Sequence, residues 1–126
     1  MILDASAVLA FLLAEPGEDR VKNALLSEPM MTTVNFAEVV TKYVLRGATA
    51  QARKLQDQLP VTLIAVDEDL ALDAALIAAI TKPHGLSLGD RICLALGRRA
   101  ARPVLTADRR WLHVAKALGV VVETIR

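Results

Sequence analysis

Short apolar runs alternate with stretches of helical periodicity along this chain, and that alternation constrains its fold more than any other feature. Residues 1–3, 30–32, 61–66, 104–106 and 120–123 read as strands. Residues 5–14, 18–27, 35–45, 49–59, 67–80, 87–101 and 108–118 read as helices. A helix between two strands makes their connection a crossover rather than a hairpin, so the strands run parallel. A parallel sheet must be covered on both faces. The expected fold is therefore α/β: a three-layer α/β/α sandwich around a mostly parallel central sheet of four to five short strands, with right-handed crossovers.

Glu15-Pro16-Gly17, Pro29, Gly47, Pro60, Pro83-His84-Gly85, Arg102-Pro103 and Gly119 punctuate these elements. No linker or internal repeat interrupts the pattern, and residues 1–126 fit one domain. The chain has only four aromatics, Phe11, Phe36, Tyr43 and Trp111, although 54% of it is hydrophobic. The core must be built from Ala, Leu, Val and Ile. On residues 35–45, helical spacing turns Phe36, Val40, Tyr43 and Val44 inward. Leu12, Leu13, Leu25 and Leu26 cannot all face one core; most of them are expected in the core, and the first two helices could supply an apolar groove for a partner with the rest.

Net charge is +1, which gives no global signature of nucleic-acid binding. Arg98, Arg99, Arg102, Arg109 and Arg110 nevertheless cluster in the last third. The single cysteine, Cys93, lies in an apolar helix and reads as a buried structural thiol. With no disulfide possible within the chain, a reducing cytoplasm is the expected compartment. Residues 5–14 are too few to span a bilayer, no signal peptide is evident, and the mature protein is expected to begin at Met1.

Four acids fall where a strand gives way to a helix, or in the first turns after it: Asp4, Glu38, Asp90 and Asp108. Each has an ordinary explanation. Asp4 can cap the helix at Ala5. Asn35-x-x-Glu38 and Ser87-x-x-Asp90 have capping-box spacing. Glu38 stands four residues before Lys42, at ion-pair distance on a helix. Asp108 suits the positive end of a helix dipole. Capping does not explain why all four fall toward one edge of a sheet. Ligand sites in open α/β sheets form there, beyond the carboxyl ends of the strands at a topological switch point. Converging carboxylates repel, and a bound divalent cation removes that penalty. The waters of a bound Mg²⁺ or Mn²⁺ supply what phosphodiester hydrolysis requires: one becomes the nucleophile, and the metal stabilises charge on the phosphorus and the leaving oxygen. Other sites are not indicated: His84 and His113 read as isolated, and GxxxxGK[ST], GxGxxG and GxSxG are absent.

Leu3-Asp4-x-Ser6-Ala7, Asn35-x-x-Glu38, Ser87-x-x-Asp90 and Thr106-x-Asp108-x-x-Trp111 together resemble a PIN-domain ribonuclease. Length and the early position of Asp4 make the resemblance strongest to VapC, the toxin of type II toxin–antitoxin pairs. The resemblance spans the chain from Leu3 to beyond Trp111. It implies a Mg²⁺- or Mn²⁺-dependent endoribonuclease using one or two ions, with Asp4 and Asp90 as principal ligands. Glu38 and Asp108 would complete the quartet, and Ser6, Thr106 and Asn35 would hydrogen-bond the carboxylates. RNA products would carry a 5′-phosphate and a 3′-hydroxyl. The implied partners are a VapB-like antitoxin and a second copy of the chain in a homodimer.

So few aromatics leave little for base stacking, so phosphate contacts from Arg109 and Arg110 are expected to hold RNA. A haloacid-dehalogenase-type phosphatase wants a second Asp where Ser6 stands. A receiver domain wants an acidic pair after the first strand, which Leu3-Asp4-Ala5 lacks. The alternative from another class is a non-catalytic RNA-binding or protein-interaction module on the same fold.

Overall fold

The computed structural model describes residues 1–126. Five strands form one sheet: β1 (Ile2–Leu3), β2 (Met30–Thr32), β3 (Thr62–Ile64), β4 (Val104–Thr106) and β5 (Val122–Thr124). All neighbours pair in parallel, in the order β3-β2-β1-β4-β5. Between them lie α1 (Ala5–Leu12) and α2 (Glu18–Leu25), α3 (Thr33–Leu45) and α4 (Thr49–Gln58), then α5 (Glu68–Leu76), α6 (Ala78–Thr81) and α7 (Leu88–Ala100), and finally α8 (Leu112–Leu118).

Side-chain alternation on the strands divides the core in two. Ile2 and Val104 point into one layer, with Leu70, Leu94, Trp111 and Val114 from α5, α7 and the α8 region. Leu3, Met31 and Leu105 point into the other, with Val8, Val21, Val39 and Leu55 from α1 to α4. The chain steps from β1 outward to β3, then jumps back to β4. Right-handed crossovers require the helices to change face when that direction reverses, and they do. The reversal makes β1 and β4 neighbours at a switch point, where their carboxyl ends open outward.

Several elements depart from the sequence expectation. α1 stops at Leu12 because Ala14 takes a left-handed conformation (φ 54°) and Glu15 N–H closes back on the Ala10 carbonyl. α3 begins two residues early, capped by Thr32, whose hydroxyl accepts Asn35 N–H at 3.0 Å. The fully buried residues are consequently Asn35 and Val39; Phe36, Val40 and Tyr43 pack partly buried against the core as expected, while Val44 is exposed. Residues 67–80 do not make one helix. The chain turns at Ile77, and a 3-10 turn at Lys82–His84 replaces the expected loop. Asp108 likewise caps a 3-10 turn, Arg109–Trp111, ahead of α8. β3 and β5 are each three residues long. No helix is long and apolar enough to cross a membrane.

Candidate functional site

Asp4 leaves the end of β1 and is 4% exposed. Its Oδ2 accepts two hydroxyls, from Ser6 at 2.5 Å and Thr106 at 2.8 Å. Both hydroxyls are themselves fixed. Ser6 Oγ accepts Ala107 N–H at 2.9 Å, and Thr106 Oγ1 accepts Asp108 N–H at 3.1 Å. The strand pair β1–β4 thus clamps one oxygen of Asp4, while no donor reaches Oδ1. Asp4 faces the start of α1 but makes no side-chain capping bond there, so the helix does not account for its carboxylate.

Burial pushes the Asp4 carboxyl up to about 6, against the pull of the Ser6 and Thr106 hydroxyls. The charges of Asp90 and Glu38 push it in the same direction. Glu38 is also raised, first by desolvation and further by Asp90, while Asn35 pulls it down. Cys93 lies fully buried beneath this group, and its thiol is held well above its usual range by burial and by Asp4, Asp90 and Glu38. It is therefore not a nucleophile.

Asn35 is fully buried and connects the two helices that present Glu38 and Asp90. Its Nδ2 donates to Glu38 Oε2 at 3.2 Å and to the Gly89 carbonyl, in the first turn of α7, at 3.1 Å. Its Oδ1 accepts the Thr32 hydroxyl at 2.5 Å. Asn35 is thus the third residue of α3 rather than its cap, and Glu38 is free of the expected capping role. Lys42 does not pair with Glu38 either; the ion pairs of the chain are Arg20–Glu123, Arg99–Asp67, Arg110–Asp108 and Arg126–Glu15. Gly89 is a contribution that spacing alone does not flag. A Cβ there would run into the Glu38 carboxylate, with Cδ only 2.9 Å away.

Asp90 completes a capping box with Ser87: its Oδ2 accepts Ser87 N–H at 2.8 Å, and Ser87 Oγ accepts Asp90 N–H at 3.3 Å. The cap occupies one carboxylate oxygen and orients the other. Asp108 is turned a different way. Arg110 Nε and Nη2 grip its two oxygens at 3.0 and 2.6 Å, and the Arg110 hydrogen bonds hold its carboxyl below the usual range.

Arg109 and Arg110 are not equivalent. Arg109 Nη1 donates to the Arg126 carbonyl, whereas Arg110 Nη1 donates to the Gly85 carbonyl beside the site. His84 and His113, expected to be isolated, stack with ring centroids 5.6 Å apart. Sequence spacing could not join a 3-10 turn to α8 across 29 residues.

Hard oxygen donors with a free lone-pair face, crowded enough to raise Asp4 and Glu38, fit a hard divalent cation in chemical type. They are not drawn into a closed cage: no three His, Cys, Asp or Glu side chains are spaced to grip an ion directly. The donor set thus suits a cation held partly through water, as Mg²⁺ commonly is.

A family model described as PIN domain matches residues 1–117. A protein of Mycolicibacterium smegmatis named Ribonuclease VapC is 30% identical, with 83% of this chain and 88% of the relative covered. The DNA-bound VapBC structure from Salmonella typhimurium aligns with a TM-score of 0.77 at 13% identity, covering 99% of this chain and 97% of that one. A member of the VapBC family of toxin–antitoxin systems, VapBC-5 from Mycobacterium tuberculosis, aligns with a TM-score of 0.61 at 23% identity, covering 99% and 96%. At those identities the two structures bear on the fold alone. With the family model spanning nearly the whole chain, this protein belongs to the PIN domain family, and within it to the VapC type.

Proposed function

We propose that this protein is a Mg²⁺- or Mn²⁺-dependent endoribonuclease, the toxin of a toxin–antitoxin pair. The observation that carries the reading is Asp4: a buried carboxylate clamped through one oxygen at the sheet's switch point, with the other unengaged and two acids crowding it. The name of the Mycolicibacterium relative supports the RNA substrate.

Asp4 Oδ1 and Asp90 are the principal ligands for one or two ions in this reading, with Glu38 and Asp108 completing the set. A bound Mg²⁺ supplies charge neutralisation for the acids and for the phosphate under attack. Ser6 and Thr106 hold Asp4 in one rotamer, so ligand geometry is fixed before RNA arrives. Asn35 engages Glu38 Oε2 and leaves Oε1 to orient the attacking water and take its proton, a role that its raised pKa favours. The water oxygen bonds to phosphorus, the bond to the 3′-oxygen breaks, and that oxygen regains a proton as the 3′-hydroxyl. Arg109 and Arg110 contact RNA phosphates.

The test is cleavage of a mixed RNA substrate with EDTA, Mg²⁺ or Mn²⁺. Wild type should cut only with metal, and Asp4→Asn and Asp90→Asn should lose at least about a hundredfold. Equal cutting by all three proteins would sink the mechanism. Binding of RNA without any cutting would favour the non-catalytic module, a reading that the ion-paired state of Asp108 keeps alive.

The expected partners extend this reading. A groove of about 390 Å³ lined by Phe11, Leu12, Leu25, Leu26, Leu55 and Leu59 suits the apolar face of a VapB-like antitoxin helix. Leu26, 81% exposed, should weaken that complex when changed to Glu. Leu72 and Leu76, one turn apart and exposed on α5, suit a homodimer; sedimentation of Leu72→Glu/Leu76→Glu should show monomer. A cytoplasmic location, where RNA is met, belongs to the same reading.

A further inference from the structure

The fourth acid of the site is already occupied by the chain itself. Arg110 reaches back two residues and takes both oxygens of Asp108 in a forked ion pair, while its third nitrogen is anchored on the Gly85 carbonyl at 3.2 Å. Asp108 also accepts Arg110 N–H at 3.0 Å. Its carboxylate thus has three donors from one residue and is satisfied without a cation. Neither Asp4, Glu38 nor Asp90 is engaged by an arginine in this way.

We propose that Arg110 is an internal counter-ion that withholds Asp108 from the divalent cation, so that cation binding and release of Arg110 are one coupled event. The inference rests on the metal-dependent reading above and assigns Arg110 a positioning role within it. Asp108 N–H is tied to Thr106 Oγ1, which also holds Asp4. The backbone of Asp108 is therefore fixed to the site, and only its carboxylate has to turn. The pair is open to water, with side-chain exposures of 55% for Arg110 and 24% for Asp108. An exposed pair is weak enough for a divalent ion to displace. Once released, the guanidinium becomes a free bidentate donor for phosphate. A site without its cation is thereby also a site with one of its two phosphate donors withdrawn.

Mn²⁺ binding followed by electron paramagnetic resonance, without RNA, tests this. Arg110→Gln should bind Mn²⁺ about two- to fivefold more tightly than wild type, the range set by an exposed ion pair. Losing a positive charge would tighten binding somewhat wherever that charge lay, so the measurement is repeated in Asp108→Asn. There Arg110→Gln should give only the smaller gain of a lost positive charge, because no carboxylate remains to release. Circular dichroism confirms that each variant is folded. Equal gains in both backgrounds, or no gain in either, would overturn the counter-ion role while leaving the metal site standing. Failure of wild type and variants alike to bind Mn²⁺ would overturn both readings.

Discussion

Asp4 shows how a single residue can trade stability for chemistry. Its carboxyl sits at about 6 in the fold against an ordinary 3.8, mainly through burial, with Asp90 and Glu38 adding repulsion. A raised carboxyl pKa means that the folded state binds the proton more tightly than the unfolded chain. Stability is thus highest below about pH 4 as far as this group is concerned, and falls as pH rises through about 6. In metal-free buffer, Asp4→Asn should melt above wild type at pH 7, by roughly 1–3 kcal/mol, and the gain should disappear near pH 4. Melting curves that track each other across that range would show that Asp4 ionises without penalty. Gly89 makes a second residue-scale case. Alanine there should favour the helix by up to about 1 kcal/mol, yet its Cβ would displace the Glu38 carboxylate. RNA cleavage by Gly89→Ala should therefore fall about ten- to a hundredfold, with little loss in melting temperature. Unaltered cleavage would mean that Glu38 has no required position. The positions of the acids were legible in the sequence, because strand ends and helix starts can be read locally; the hydroxyls of Ser6 and Thr106 beside Asp4 were expected from the family resemblance. The bond from Asn35 to Gly89 was not, since it spans 54 residues and depends on how α3 meets α7. Nor was the choice of Asp108 by Arg110, since Arg98, Arg99, Arg102 and Arg109 lie in the same stretch.

At the scale of elements, one cap carries two functions in α7. Ser87 and Asp90 close the helix start reciprocally, and Asp90 is also one of the proposed metal ligands. The two functions separate by mutation, because Asp90 is oriented by the Ser87 main-chain N–H rather than by its hydroxyl. Ser87→Ala should cost about 1 kcal/mol of stability while cleavage at a permissive temperature stays within a few-fold of wild type. A collapse of cleavage with no change in melting would place the hydroxyl itself in the site. The box was readable as Ser-x-x-Asp, and the helix it starts was placed to within a residue. The break in residues 67–80 was not readable, because an Ala- and Leu-rich run has helical propensity throughout. Tertiary burial decides it: Ile77, Thr81 and Leu86 all enter the core, and the Thr81 hydroxyl turns back onto the Ile77 carbonyl at 3.1 Å. The frame of α3 slipped for a related reason. Thr32 and Asn35 are both good caps, and only the buried Asn35 shows which one starts the helix.

For the whole molecule, alternation of strands and helices was enough to give a parallel three-layer sandwich, since crossovers leave no other arrangement for short buried strands. Strand order was not given by alternation. It follows from the return of the chain after β3 to the far side of β1, which brings Asp4 beside Thr106. That return has a thermodynamic consequence. The fold holds acids in mutual repulsion, so a cation that binds only the folded state should stabilise it by about 1.4 kcal/mol at ten times its dissociation constant. For a domain of this size that is a rise of a few degrees in melting temperature. Proton and cation compete for Asp4, whose pKa is raised, so the rise should be larger at pH 7 than at pH 5. Asp90→Asn should lose part of it, and EDTA should abolish it. Protein concentration must be held fixed, because dimerisation would shift the same midpoint. If millimolar Mg²⁺ leaves wild-type melting unmoved at both pH values, the four acids act as separate helix caps and a polar clamp, and the switch point of the sheet is not a metal site.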